Sequence, residues 1–218
     1  MPRVDTCVLE TVYADDALLV LDKPSGLLAV PGRGPDKQDC LSARVQARYP
    51  DALVVHRLDM DTSGLMVMAR GAAAQRALSW AFAARTVKKR YLAVVAGRLQ
   101  APPEAWGCVD LPLICDWPNR PRQIVDHALG KPSLTRWRVV GHDAAWDATR
   151  VELEPVTGRS HQLRVHMCEL GHPILGDPLY APDAHRAQAK RLLLHAWSLR
   201  FAHPVTGKAL AFERPAPF

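Results

Sequence analysis

The sequence LVVHRLDMDTSGLMVM occupies residues 53–68 and decides how the rest of the chain is interpreted. Its apolar ends have the length and composition of buried strands, and the polar segment His56–Gly64 separates them. The pattern therefore predicts a turn that is held between two strands and presents one carboxylate, Asp59. An Asp that hydrogen-bonds its own turn is one interpretation, and a nucleophile or general base is the other.

The composition is that of an ordinary folded domain. The chain has 218 residues, of which 48% are hydrophobic and 23% are charged, so we expect a single domain over residues 1–218. No apolar run is long enough to span a membrane, and Asp5 lies where a signal peptide needs its apolar segment. We therefore expect an unprocessed cytoplasmic protein without a membrane partner.

Cysteine usage and charge give two further expectations. The five cysteines are scattered without a Cys-x-x-Cys pair and are interpreted as reduced packing residues: Cys7, Cys40, Cys108, Cys115 and Cys168. The formal net charge is +6, and part of the excess lies in the clusters Lys88-Lys89-Arg90 and Arg120-Pro121-Arg122. This balance favours a polyanionic partner, nucleic acid first.

Local patterns predict more strands than helices. Strands are expected at residues 17–21, 88–97, 134–140, 149–155 and 192–197, and helices at residues 39–49, 72–84 and 160–171. Asp39 and Ser160 are the expected caps of the first and third helix, and Gly171 is the expected stop of the third. Because strand and helix do not alternate, the sequence predicts an α+β fold with a mixed, largely antiparallel central sheet and flanking helices.

A proline-rich segment, residues 111–131, is predicted to leave the core. It carries Trp117 between basic and polar residues, and it suits either an RNA-contacting surface or a plain surface loop. Tyr91 opens a different, apolar segment, where an aromatic residue is more often part of the core. A functional Tyr at that position would stack on a base or share in proton transfer.

Two alternative chemistries are weaker. The residues Asp59-Met60-Asp61-Thr62-Ser63 come close to the Asp-x-Asp-x-Thr pattern of phosphatases that are phosphorylated on the first Asp, but those enzymes require a doubly wound parallel sheet. A metal site at His161, His166, Cys168 and His172 is disfavoured because His161 and His166 are not four residues apart. Capping, packing or RNA contacts suit these histidines better.

Three motifs in order make the chain similar to a known family. His56-Arg57-Leu58-Asp59-x-x-Thr62-Ser63-Gly64, the segment Tyr91–Gly97 and the segment Thr157–His166 resemble the core motifs of the RluA family of pseudouridine synthases. The resemblance continues through Lys23-Pro24-Ser25-Gly26 and the segment Gly171–Asp177. It implies a pseudouridine synthase fold with a central catalytic cleft, and isomerisation of a flipped-out uridine without a cofactor or metal.

The resemblance also implies roles for particular residues. Asp59 would be the nucleophile, at the sugar C1′ or the base C6, and Arg164 would pair with Asp59. Tyr91 would stack on the uracil, either in that role alone or also as a participant in proton removal. Leu163 would form part of the apolar floor, and Arg57 would approach the space vacated by the base or a phosphate. Further substrate contacts are expected from His56, Thr62, Lys89, Arg120 and Arg122.

The implied RNA partners are a domain II loop of 23S rRNA and the first nucleotide of certain tRNA anticodon loops. We expect a monomer. We also expect no N-terminal S4 domain, because the first predicted strand begins near Ala17. Two alternatives stay open: a noncatalytic RNA-binding protein on the same scaffold, and a synthase with a different RNA target.

Overall fold

The computed structural model describes residues 10–102 and 104–218, which leaves Asp5 and Cys7 outside the described residues. The strands are β1 (Glu10–Ala14), β2 (Leu18–Lys23), β3 (Ala52–Val54), β4 (Ser63–Arg70), β5 (Lys88–Ala96), β6 (Gly107–Asp110), β7 (Leu113–Cys115), β8 (Gln123–Val125), β9 (Leu134–Asp143), β10 (Ala148–Pro155), β11 (Leu194–Ala202) and β12 (Ala209–Glu213). The helices are α1 (Leu41–Arg48), α2 (Ala72–Ala83), α3 (Gln162–Glu169) and α4 (Asp183–Ala187).

Ten strands form one sheet in the order β1-β2-β4-β11-β5-β10-β9-β6, with β3 paired to β4 and β12 paired to β11. Strands β4 and β11 pair in parallel through Ser63 with His195 and Gly64 with Ala196, whereas the neighbouring pairs on either side are antiparallel. The predicted mixed, largely antiparallel sheet is therefore confirmed. Among the described residues, no helix is long and apolar enough to cross a membrane.

Strand β4 is buried on both faces, which explains its uninterrupted apolar sequence. One set of alternating side chains, Met66 and Met68, packs in the cluster that holds α1. The other set, Leu65 and Val67, packs in the cluster that holds α2. Each fully buried side chain of this size contributes roughly 1.5–3 kcal/mol relative to an exposed one. The strand that follows the polar segment is thus fixed from both sides.

The predicted helix starts are wrong at two places. Cys40, not Asp39, caps α1, because Cys40 Sγ accepts from the Ala43 amide, while Asp39 accepts two hydrogen bonds from Arg44 on the solvent side. Ser160 does not cap α3 either. The capping position falls on His161, in a left-handed conformation without a side-chain cap. The predicted stop is confirmed, since Gly171 follows α3 with φ of 80°.

Other differences lie at the edges of the sheet. Strand β1 was not predicted, and the last predicted strand begins at Leu194 and continues to Ala202. The segment 111–131 leaves the main sheet as predicted and contains the antiparallel pair β7–β8, here called the β7–β8 hairpin (residues 113–125). The cysteine prediction holds for buried Cys40 but is wrong for Cys108, which is exposed on edge strand β6.

Candidate active site

A cleft of about 610 Å³ opens where the polar segment meets β5, the end of α2 and the connection from β10 to α3. Eight of the ten predicted site residues line it, namely His56, Arg57, Asp59, Thr62, Lys89, Tyr91, Leu163 and Arg164. Arg120 and Arg122 lie outside this lining, on the β7–β8 hairpin. The fold therefore brings eight residues from separate parts of the sequence to one cleft, and their roles there stay predictions.

The loop that carries Asp59 is closed on itself and anchored to the sheet. The backbone N–H of Thr62 donates to the Asp59 carbonyl at 3.2 Å, and the Thr62 side chain is buried. Gly64 follows with φ of 110°, and a Cβ there would lie 2.4 Å from the Ala196 carbonyl oxygen. Glycine is required at this position by both conformation and space, and it fixes the distance between the loop and β11.

Lys23 supports the same loop from behind, a role that was not predicted. Its fully buried ammonium donates to the carbonyls of Pro24, Leu27 and Met60 at 2.8, 2.7 and 2.8 Å. Burial lowers the pKa of Lys23 to about 8, with opposing contributions from Asp61 and Asp59. Three carbonyl acceptors compensate for the buried charge and tie the loop to the end of β2.

Arg164 reaches Asp59, but its main partner is a residue that was not predicted. Its Nε and Nη2 donate to the two carboxylate oxygens of Asp177 at 2.7 and 2.6 Å, while Nη1 lies 3.8 Å from Asp59 Oδ2. The Arg164 side chain is 2% exposed. The planar guanidinium is thus held rigidly by Asp177 and presents its remaining edge to Asp59.

Tyr91 lies on β5 and faces the cleft. Burial raises the pKa of its phenol, and the nearby carboxylate of Asp59 raises it further. The ring is therefore neutral at physiological pH and offers a flat apolar face beside the carboxylate. Buried Leu163, in the first turn of α3, adds another apolar wall of the cleft.

His56 lines the cleft but is also a structural contact. Its Nε2 accepts the Val67 backbone N–H at 3.0 Å, and its ring stacks on Phe82 at 4.3 Å between centroids. Burial, reinforced by the charge of nearby Lys89, lowers the pKa of His56 to about 3. The ring is therefore neutral, and only Nδ1 is left for an RNA contact.

The cationic side chains occupy different depths of the site. Burial lowers the pKa of Lys89, and Arg85 lowers it further. Exposed Arg57 reaches across the cleft, where its Nη2 lies 3.5 Å from Ser160 Oγ. On the hairpin, Arg120 stacks on exposed Trp117 at 4.5 Å, and Arg122 lies 5.4 Å from the centre of the Tyr180 ring.

Tyr180 and His161 complete the surroundings of Asp59. His161 Nδ1 lies 2.7 Å from the Tyr180 hydroxyl, and its Nε2 lies 4.0 Å from Asp59 Oδ1. Tyr180 was not predicted, because it lies in a turn-rich segment with no local pattern that shows which side of the chain it faces. Within residues 10–102 and 104–218, no three His, Cys, Asp or Glu side chains are grouped as metal ligands.

The comparisons with known proteins agree with this geometry. Residues 17–169 match the family described as RNA pseudouridylate synthase. Dual-specificity RNA pseudouridine synthase RluA of Escherichia coli strain K12 is 53% identical over 210 residues, 96% of this chain and 94% of that protein. The protein of the same name from Yersinia pestis is 51% identical over 207 residues, 95% of this chain and 98% of that protein.

A solved structure of a related human protein also has this fold. Human RNA pseudouridylate synthase domain containing 1 superimposes with a TM-score of 0.78 at 31% identity, over 97% of this chain and 84% of that chain. The resemblance that the three motifs indicated is thus confirmed. Because the family match spans most of the chain and the bacterial relatives are about half identical along nearly their whole length, the chain belongs to the RNA pseudouridylate synthase family, an isomerase family that acts on RNA.

Proposed function

We propose that this protein converts uridine to pseudouridine in both 23S rRNA and tRNA, with Asp59 as the nucleophile. The observation that carries the proposal is the position of the Asp59 carboxylate. Its side chain is 28% exposed inside the cleft, with Arg164 beside one oxygen and His161 beside the other. A carboxylate that is accessible, oriented and next to a fixed cation suits nucleophilic attack.

The isomerisation needs a pocket that holds a free base. The N1–C1′ bond breaks, the uracil turns, a C5–C1′ bond forms, the C5 proton leaves and N1 takes up a proton. Asp59 starts this sequence by attack at C1′ or at C6. Both routes begin from an ionised carboxylate, and Arg164 Nη1 lies 3.8 Å from Asp59 Oδ2.

Tyr91 and Leu163 retain the uracil while it turns. The neutral phenol ring of Tyr91 stacks on the base, and the apolar side chain of Leu163, which also lines the cleft, excludes water from it. Unstacking a nucleotide from RNA costs on the order of a few kcal/mol, so uridines in loops are favoured substrates. Arg57 supplies a planar cation at the mouth of the cleft, where the base leaves its helix.

The relatives support a substrate range of two RNA classes. Their name describes dual specificity, and this chain covers 94% of the E. coli protein. We assign to the present protein a domain II loop of 23S rRNA and the first nucleotide of certain tRNA anticodon loops. The hairpin residues Arg120 and Arg122 contact the RNA backbone beyond the cleft. The protein acts as a cytoplasmic monomer.

Pseudouridine mapping of 23S rRNA and tRNA tests the reaction and the targets together. Cells that lack the gene are complemented with the intact protein or with Asp59→Ala. Pseudouridine is expected to return to one rRNA loop and to tRNA anticodon loops with the intact protein alone. Return of the modification with Asp59→Ala would overturn the assigned nucleophile. Purified wild-type protein that binds both RNAs without forming product would favour a noncatalytic RNA-binding role.

A further inference from the structure

His161 and Tyr180 form a hydrogen-bonded pair beside Asp59. Two oxygens of one carboxylate face two different groups: Asp59 Oδ2 lies 3.8 Å from Arg164 Nη1, and Oδ1 lies 4.0 Å from His161 Nε2. At these distances a small shift of the loop or a bridging water would complete each contact. The carboxylate is thus bracketed on both sides.

A third partner indicates where the protons of the pair are. The Gln123 backbone N–H, in β8, donates to the Tyr180 hydroxyl oxygen at 2.8 Å. Because Tyr180 accepts that bond, its own proton is free to be donated to His161 Nδ1, 2.7 Å away. A neutral His161 then carries its ring proton on Nε2, the atom that faces Asp59.

The surrounding charges keep both members in these states. Burial lowers the pKa of His161. Asp59 and Asp177 oppose that effect, while Arg164 and Arg57 reinforce it. Burial also raises the pKa of Tyr180 to about 12, so its hydroxyl keeps its proton. A neutral imidazole can donate from Nε2 without adding a second full charge beside Arg164.

The backbone of His161 is held in an unfavourable conformation. Its φ of 53° and ψ of 14° lie in the left-handed region, which a residue with a side chain adopts at an energetic cost. This conformation ends the turn after β10 and starts α3, and it directs the ring into the cleft. Strain of this kind persists where surrounding contacts enforce it, often at functional sites.

We propose that His161 and Tyr180 are positioning residues that orient the Asp59 carboxylate for attack. Tyr180 sets which ring nitrogen of His161 donates, and His161 fixes one oxygen while Arg164 fixes the other. The inference rests on the proposed role of Asp59. It also links the β7–β8 hairpin to the site, because Gln123 bonds Tyr180 and the Arg122 guanidinium lies over the same ring.

Steady-state kinetics of Tyr180→Phe provide the first test. The Phe ring keeps the packing and the cation–π contacts but cannot orient His161. We expect kcat to fall about tenfold, as for the loss of one orienting hydrogen bond, with KM unchanged. Tyr13→Phe is the matched control, because it removes a hydroxyl that bonds Asp15 away from the cleft.

Two substitutions of His161 separate positioning from packing. His161→Gln keeps an N–H close to the position of Nε2, whereas His161→Leu fills the space without a donor. We expect His161→Gln to retain most of the wild-type kcat and His161→Leu to lose at least about tenfold. If Tyr180→Phe does not fold, the comparison of His161→Gln with His161→Leu still tests whether His161 orients Asp59.

Nitrogen-15 spectra of histidine-labelled protein report the tautomer directly. His161 should show a protonated Nε2 in the wild type and a mixture of tautomers in Tyr180→Phe. Wild-type kcat in both Tyr180→Phe and His161→Leu would overturn the inference, as would equal losses in His161→Gln and His161→Leu. Failure of the wild type itself to form pseudouridine would instead overturn the proposed function.

Discussion

Arg164 binds the carboxylate of Asp177 and faces that of Asp59 with one planar side chain, and the geometry of the site depends on that shape. Two of its nitrogens are used by Asp177, and a third faces Asp59. An ammonium group is a point charge on a flexible chain and cannot serve both partners in fixed directions. The identity of this residue as Arg, and not only its charge, is therefore part of the site.

The substitution Arg164→Lys tests this dependence. We expect kcat/KM to fall about 100-fold, as for the loss of one preorganised electrostatic contact. The free energy of unfolding should fall by about 2 kcal/mol, because Asp177 stays buried with a poorer partner. Arg200→Lys, in an exposed pair with Glu213, is the control and should change neither quantity. Wild-type kinetics for Arg164→Lys would contradict the described role.

His56 makes stability depend on pH in a defined direction. Its pKa is lowered to about 3 in the folded protein from 6.5, so the unfolded chain binds a proton first as the pH falls. The contribution of His56 is complete above pH 6.5 and is lost progressively as the pH falls towards 3.

Urea unfolding of His56→Gln at several pH values checks this expectation. The Gln carbonyl can still accept the Val67 N–H, but it does not titrate. Between pH 6 and 4, the free energy of unfolding of His56→Gln should fall less steeply than that of the wild type. The two slopes should differ by about 1.4 kcal/mol per pH unit, which corresponds to one proton. Exposed His127→Gln is the control for the loss of a histidine outside the cleft. Identical slopes for all three proteins would refute the buried neutral state of His56.

Single residues show what the sequence could reveal about the site. Asp59, Tyr91 and Arg164 each lie in a recognisable motif, and the structure brings them to one cleft. Asp177 and Tyr180 lie after α3 in a segment of turns, and their contacts depend on how that segment folds back onto α3. Local patterns do not contain that information, because turn residues are chosen for backbone conformation and solvent contact.

At the level of elements, β4 and the loop before it form the rigid support of the site. The strand is packed by α1 on one face and α2 on the other, and it pairs with β2, β3 and β11. Helices and strands with a strong period were predicted well, as α2 and the β9–β10 pair show. The starts of α1 and α3 were predicted wrongly for two different reasons. Asp39, before α1, binds Arg44 and not the helix backbone, and Ser160 lies one position before the residue that caps α3.

The close contact between Gly64 and β11 allows a test of how rigidly β4 and its preceding loop are held. In Gly64→Ala, a Cβ would lie 2.4 Å from the Ala196 carbonyl oxygen at a φ of 110°. We expect the free energy of unfolding to fall by roughly 3–5 kcal/mol, since both backbone strain and overlap oppose the native structure. Gly141→Ala, where nothing lies within 4 Å of the added Cβ, should stay within about 0.5 kcal/mol of the wild type. Similar melting temperatures for both variants would contradict the packing described here.

For the whole molecule, the charge of +6 is consistent with a polyanionic substrate, and the hairpin extends the basic surface beyond the cleft. The double variant Arg120→Ala/Arg122→Ala should bind substrate RNA more weakly, and the slope of log K against log salt should decrease by about 1–2 as phosphate contacts are lost. Arg48→Ala/Lys208→Ala removes the same charge outside the cleft and the hairpin. An equal loss in both double variants would show that net charge, and not the hairpin, carries the affinity.

Asp59 is the proposed nucleophile of an RNA isomerase. Release of tritium from RNA labelled at uracil C5 measures the loss of the C5 proton and therefore reports the reaction itself. The isosteric variant Asp59→Asn keeps the size of the side chain and its neighbours while it removes the charge that attacks. We predict that the wild type releases tritium, and that Asp59→Asn binds the same RNA but releases none above background. Release by Asp59→Asn at a rate near that of the wild type would contradict the account.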